Sequence, residues 1–352
     1  MSREQTVSQP GTEAVVPDAA LVGQRFGFRD HYEVGREKIR EFARAVQNTH
    51  PAHHQEVDAR KLGYDGVIAP PTFASVIGMS ATRALLDSVL TEYDLSQVLQ
   101  TDQVFEIYRP MLAGDRIRTE IEIESIRQFG DNDFVNVGFK LINSDDQIAV
   151  QGTTTIVARR GVEVDPNIVE AVENISMHAR PAAIAGVDTD DILIRRTGPA
   201  PAAPEREFAP VNTVPEFGSV AKGDELPAGI AKVTRGDLAN YAGVSGDPNP
   251  IHFSDRAAEL AGLPTVVAHG LLTMGLAAQY LSDWLGDPTA IAKLAVRFSG
   301  FVPVPPAAAG VIEFSGKVKS VDPERRGATI LLSGISEGRK LFGRAVAEVR
   351  LT

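Results

Sequence analysis

The chain has 352 residues, 43% of them hydrophobic and 23% charged, which suits a protein of two domains with a sizeable core. It contains no cysteine, and this excludes disulfides, thiolate nucleophiles and cysteine-held metal or iron–sulfur sites. Its 35 basic and 46 acidic residues leave a net charge of −11, which argues against a broad nucleic-acid surface. The first twenty residues hold no apolar run of signal-peptide length, and the longest apolar stretch, Leu271 to Leu285, is broken by Thr273, Gln279, Ser282 and Asp283. The expectation is a soluble, cytoplasmic protein with no membrane span.

Residues 1–20 read as a flexible tail. A first domain is expected over 21–160, a linker over 161–215 and a second domain over 216–352. The first domain opens with a short helical pattern at Ile39, Phe42, Ala43 and Val46, spaced to share one face. A polar turn with Pro51 follows, then a short helix over Val57 to Leu62 and a longer one within Phe73 to Leu90. That last segment is apolar on most sides, as in a helix buried all round. Period-two strands follow in DRIRTEIEIES, from Phe134 to Ile142 and from Ala149 to Val157. The stretch GPAPAAPEREFAP (Gly198 to Pro210) reads as an extended linker. Ile168 to Ile175 and Ile192 to Ile194 are expected to pack locally.

The second domain repeats this order. Arg36 to Phe73 aligns without gaps on Arg235 to Leu272 at a constant offset of 199, with eight identities in 38 positions. The identical positions include Pro51 with Pro250, His53 with His252 and Gly63 with Gly262. A buried helix over Leu271 to Leu285 and strands over Val311 to Val321, Ala328 to Leu332 and Leu341 to Leu351 complete the half. Each half therefore reads as one buried helix wrapped by an antiparallel sheet.

Chemistry concentrates in the second copy. In YAGVSGDPNPIHF (Tyr241 to Phe253), Asp247 and His252 flank a turn stiffened by Pro248 and Pro250. Histidine titrates near neutrality, and a nearby carboxylate orients and tunes it. In VVAHGLLTM, Gly270 stands where the buried helix begins, so its unpartnered amide can face a carbonyl oxygen. The plainer readings make Asn249 a turn residue and His269 a satisfied core histidine. His50, His53 and His54 resemble a metal cluster only superficially, and read better as surface histidines on a polar turn.

The run YAGVSGDPNPIHFSDRAAELAGLPTVVAHGLLTMG resembles the signature of the MaoC-like (R)-specific enoyl-thioester hydratases. The likeness continues through VRFSGFVPVP, GKVKSVDPE and KLFGRAVAEVRLT, where the second half resembles the catalytic B-type subunits of mycobacterial (3R)-hydroxyacyl dehydratases. DHYEVGREKIREFARAVQN, LGYDGVIAPPTF and TDQVFEIYRPMLAGD in the first half resemble their A-type subunits. The resemblance implies an α+β double hot-dog fold made from two fused subunits. It also implies dehydration of a (3R)-3-hydroxyacyl thioester to the trans-2-enoyl thioester in fatty-acid or mycolic-acid elongation. The implied substrate is carried by acyl-carrier protein or CoA, and contacts with other fatty-acid synthase enzymes are implied too. No metal or organic cofactor is required.

Asn48, Pro70 and Pro71 stand where Asp247, His269 and Gly270 stand. Asparagine cannot exchange a proton as a carboxylate does, and Pro71 has no amide hydrogen. The first half is therefore expected not to catalyse. In the resembling family it holds the acyl chain, which makes Phe73, Val76, Ile77, Met79 and Leu85 candidate tunnel residues, with plain core packing as the simpler reading. His269 and Asn249 join them as candidate substrate-side residues. Two other functions stay open: an (R)-specific enoyl-CoA hydratase of β-oxidation, and a non-catalytic acyl-thioester binder. An acidic carrier would require a basic rim, for which Arg109, Arg118, Lys293, Arg297 and Arg325 are scattered candidates. A fused pair supplies its own two-fold partner, so a monomer and a homodimer are both open.

Overall fold

The computed structural model describes residues 20–93, 98–159, 192–203 and 209–352. The amino-terminal tail and most of the segment read as a linker, including Ile168 to Ile175, lie outside the described residues. Among the described residues, thirteen strands form one antiparallel sheet system: β1 (Arg25–Phe28), β2 (Tyr32–Glu33), β3 (Val98–Ile107), β4 (Arg116–Phe129), β5 (Asn132–Ile142), β6 (Ile148–Arg159), β7 (Leu193–Arg196), β8 (Glu225–Val233), β9 (Ile291–Phe298), β10 (Gly310–Asp322), β11 (Gly327–Ser336), β12 (Arg339–Lys340) and β13 (Phe342–Arg350). The strand order is β7-β1-β4-β5-β6-β3-β9-β13-β11-β10-β8, with β2 on β4 and β12 on β11. The two halves join edge to edge where β3 pairs β9, Phe105 facing Leu294.

The helices lie against the sheet in matching sets. The first half holds α1 (Arg36–Ala45), α2 (Glu56–Lys61) and α3 (Ala74–Ser88). The second holds α4 (Arg235–Ser245), α5 (Asp255–Leu260) and α6 (Gly270–Leu285). Thr234 caps α4 by accepting from the Asp237 amide, while Asp237 accepts from the Thr234 amide in return. The two central helices α3 and α6 carry the buried apolar face of each half. With α1 packed on α4 and an antiparallel sheet wrapped round each central helix, the architecture is a double hot-dog. One apolar cluster runs through both halves, from Val34 to Leu351, and a second lies under β4 and β5 with Leu85, Leu86 and Leu90.

The repeat and the central helices fall where the sequence places them. Strands β3, β8 and β9 do not show in the apolar pattern, for reasons visible in their surroundings. β3 and β9 form the seam, where polar residues are used in cross-strand pairs: Asp102 with Arg297 at 2.8 Å and Glu106 with Lys293 at 2.5 Å. β8 is an edge strand carrying Pro227 and Gly229, both poor strand residues. A Cβ on Gly229 would lie 2.6 Å from the Tyr280 ring, and the Tyr280 hydroxyl donates to the Pro227 carbonyl at 2.8 Å. Two described pieces of the expected linker are tied down. Leu193–Arg196 pairs with β1, and the Val214 amide donates to Leu285 at 2.7 Å.

Candidate active site

Helix α4 ends at Gly246, whose φ of +77° is a left-handed conformation that glycine adopts freely. That reversal starts the loop carrying Asp247. The Asp247 carboxylate accepts the Asn249 amide, and the Asn249 side chain in turn accepts the Ile251 amide, both at 3.2 Å. Pro250 then begins a single tight turn that ends on His252. Asn249 thus sits as the turn-holding residue that its sequence context suggests.

A second segment closes on this loop. Val266 to His269 runs extended, with the Ala268 amide on Val302 and the Val304 amide on Val266, both at 2.9 Å. The Val267 carbonyl lies 2.7 Å from His252 Nδ1. A carbonyl only accepts, so Nδ1 bears the hydrogen and Nε2 is left with its lone pair, the form a base needs. Burial lowers the His252 pKa from its ordinary value of 6.5, while the charge of Asp247 opposes that effect. The His269 ring stacks on His252 with centroids 3.7 Å apart and planes 27° apart.

Gly270 follows His269 as the first residue of α6. Its amide lies among those that no carbonyl of the same helix can satisfy. An added Cβ there would first meet the Phe298 ring, at 3.4 Å. The fold therefore brings a carboxylate, a neutral imidazole and a helix amino terminus to one corner of the second half. Such a set can orient a hydroxyl, accept a proton and stabilise a developing oxyanion.

Asp247, His252 and His269 also offer ligating atoms within 4.8 Å of one another. A metal requires lone pairs that converge on one point. Here the two rings lie nearly face to face, so their in-plane lone pairs run side by side, and His252 Nδ1 is already committed to Val267. The arrangement fits proton transfer better than ligation.

The first half repeats the scaffold with altered chemistry. His53 Nδ1 meets the Ile68 carbonyl at 2.7 Å, as His252 meets Val267. The Asn48 side chain accepts the His50 amide at 3.1 Å, as Asp247 accepts Asn249. Gln47 holds the left-handed position of Gly246, at φ 55°. α3 begins only at Ala74, a turn later than α6, and Pro70 and Pro71 precede it.

One reading of the histidines needs correction. His53 is fully buried rather than on the surface, and burial drives its pKa down to about 3. His50 and His54 are half-buried, with Nε2 of each on a carbonyl, Gly286 at 3.1 Å and Asn48 at 2.9 Å. His269 is fully buried, with the main chain of Asp247 as its polar neighbour.

The tunnel candidates divide between the two apolar clusters. Phe73, Val76 and Ile77 are buried in the main cluster with Met79 against it, whereas Leu85 belongs to the second cluster. None of the five lines either of the two described cavities. The rim candidates are mostly engaged too: Lys293 and Arg297 in the seam, Arg118 with Glu120 and Asp146, and Arg109 with Gln147. Tyr241 was missed as a functional candidate. It is fully buried and its ring lies 4.9 Å from His269. The one available signal was its alignment with Phe42 in the repeat.

Comparison with known proteins agrees with this geometry. Residues 20–151 match the model of the FAS1-like dehydratase domain region, and residues 222–331 match the MaoC-like domain. A solved structure described as a MaoC-like dehydratase is 40% identical, with a TM-score of 0.86, covering 95% of this chain and 99% of that one. The chain belongs to the MaoC-like dehydratases. A UPF0336 protein of Saccharopolyspora erythraea is 38% identical over 149 residues, which is 42% of this chain and 95% of that protein. A Mycobacterium tuberculosis protein described as having a double hot-dog fold aligns with a TM-score of 0.59 at 15% identity, over 93% of this chain and 96% of that one. It supports the fold alone. The family carries a hydro-lyase activity, the addition or removal of water. Among the described residues, no helix is long and apolar enough to cross a membrane.

Proposed function

We propose that the chain is a (3R)-3-hydroxyacyl-thioester dehydratase whose catalytic site lies in the second half, residues 216–352. The first half, residues 21–160, is a non-catalytic partner. The observation that carries this reading is the pairing of Asp247 with a His252 whose free nitrogen is Nε2, next to the start of α6. In the dehydration direction the Gly270 amide donates to the thioester oxygen and stabilises the enolate charge as C2 loses its proton. His252 Nε2 takes that proton. Asp247 orients the 3-hydroxyl, and the proton passes to it as the C3–O bond breaks, so water leaves and the trans-2-enoyl thioester remains. The carboxylate and imidazole act as one coupled pair.

Placement in fatty-acid or mycolic-acid elongation on acyl-carrier protein belongs to the same proposal. The engagement of Lys293, Arg297 and Arg118 within the chain weakens the case for a basic carrier-docking rim, and a CoA-linked hydratase stands as the second reading. The test is hydration of crotonyl-CoA, followed by loss of enoyl absorbance. Turnover in wild type that disappears in Asp247→Asn supports the reading. Absence of turnover with both CoA and acyl-carrier-protein substrates would leave a binding protein instead.

A further inference from the structure

Six rings stand in file across the junction of the halves. Tyr32 meets Phe73 at a centroid distance of 6.4 Å, Phe73 meets Phe42 at 5.4 Å, and Phe42 meets Tyr241 at 6.2 Å. Tyr241 then meets His269 at 4.9 Å, and His269 meets His252 at 3.7 Å. The first three rings belong to the first half and the last three to the second. Every separation but the stacked imidazole pair lies in the range of ordinary aromatic contacts.

The file matters because of how His269 is held. Both its nitrogens are buried, and the polar group beside the ring is the main chain of Asp247. The tilt of its faces rests on packing, with Tyr241 and His252 as its ring neighbours. His252 itself has one hydrogen bond, from Nδ1 to Val267, about which the ring can tilt unless its face is supported. His269 supplies that support, Tyr241 backs His269, and Phe42 of the first half backs Tyr241.

We propose that the first half positions the catalytic base of the second through this file of rings, with Phe42 and Tyr241 as positioning residues that act on His252 through His269. This deepens the dehydratase reading and rests on it. The non-catalytic half then has a role in turnover beyond that of a structural partner or acyl shelter. It also gives Phe73 a place in the support of the base instead of in a tunnel wall.

The test compares full-length Tyr241→Leu, Phe42→Leu and Tyr241→Phe with Leu90→Ala, a core truncation in the other cluster. Each is assayed for kcat, KM and Tm with a trans-2-enoyl-CoA. Loss of the ring in Tyr241→Leu should lower kcat about 10- to 100-fold and leave KM within about twofold. Phe42→Leu should act in the same sense but less, and Tyr241→Phe, which restores the ring, should recover most of kcat. Leu90→Ala should lower Tm without that loss of kcat. Unchanged kcat in both leucine variants, a change in KM alone, or damage by Tyr241→Phe equal to that by Tyr241→Leu would overturn the proposal. An inactive wild type, or an Asp247→Asn variant as active as wild type, would instead remove the dehydratase reading. The file is then still decided by nitrogen-15 NMR of the histidines. His252 and His269 resonances that shift or broaden in Tyr241→Leu support it, and unaltered resonances contradict it.

Discussion

His252 and His53 make the same hydrogen bond to a carbonyl fifteen residues further on, yet their neighbours give them different work. Asp247 stands beside the first, and Asn48 takes the matching place in the repeat of the first half. Asn48→Ala should therefore cost about 1 kcal/mol of stability through the lost turn bond while sparing turnover, measured by denaturant unfolding beside the enoyl assay. The pH dependence of rate follows from the depressed pKa of His252. A base works when neutral, so kcat/KM should hold as pH falls past 6.5 and drop only at more acid values. His53 bears on stability. Its pKa is about 3 folded and 6.5 otherwise, so the unfolded chain binds the extra proton between those values. The contribution is complete above pH 6.5 and is lost as pH falls toward 3, an upper bound of about 5 kcal/mol. His53→Gln should flatten that acid loss in Tm measured against pH. At this scale Asp247 and His252 were legible because two prolines and an internal repeat mark them. Tyr241 was not, since a ring pairing across halves leaves no local signal.

The start of each central helix separates the two halves most sharply. α6 begins at Gly270 with a free amide, while the first half has Pro71 there and no hydrogen to donate. Proline is well tolerated at the first helical position, and the extended ψ of 137° at His269 suits a residue preceding proline. Gly270→Pro should thus fold, yet lose about 10²- to 10³-fold in kcat, the usual cost of one oxyanion donor. Gly270→Ala keeps the amide and meets Phe298 at a tolerable 3.4 Å, so it should lose far less. Steady-state kinetics with circular dichroism checks both. Gly275 is the opposite case: a Cβ there would lie 2.5 Å from the Val46 side chain. Gly275→Val should destabilise by about 1–3 kcal/mol through overpacking, seen as a lower Tm. The central helices were readable from their unbroken apolar runs. The seam strands β3 and β9 were not, because cross-strand ion pairs replace part of the apolar alternation there.

The molecule behaves as a unit because its main core and its sheet both cross the junction. The cluster from Val34 to Leu351 contains α1, α4 and both central helices, and β3 pairs β9 along five residue positions. Calorimetry should accordingly show one cooperative transition, whereas two separated transitions would mean that the halves fold independently. The fused repeat was visible from the offset of 199, and with it the two-fold plan. Where an acyl chain would lie was not, because burial alone does not distinguish a lining residue from a packed one: Phe73 and Leu85 are both fully buried, in different clusters. The measurement that tests the account most directly is steady-state hydration of trans-2-enoyl-CoA substrates of four to sixteen carbons, with wild type beside Asp247→Asn. The account predicts turnover in wild type, and its loss in a variant that melts at the wild-type temperature. An Asp247→Asn protein that hydrates these substrates as well as wild type would contradict it.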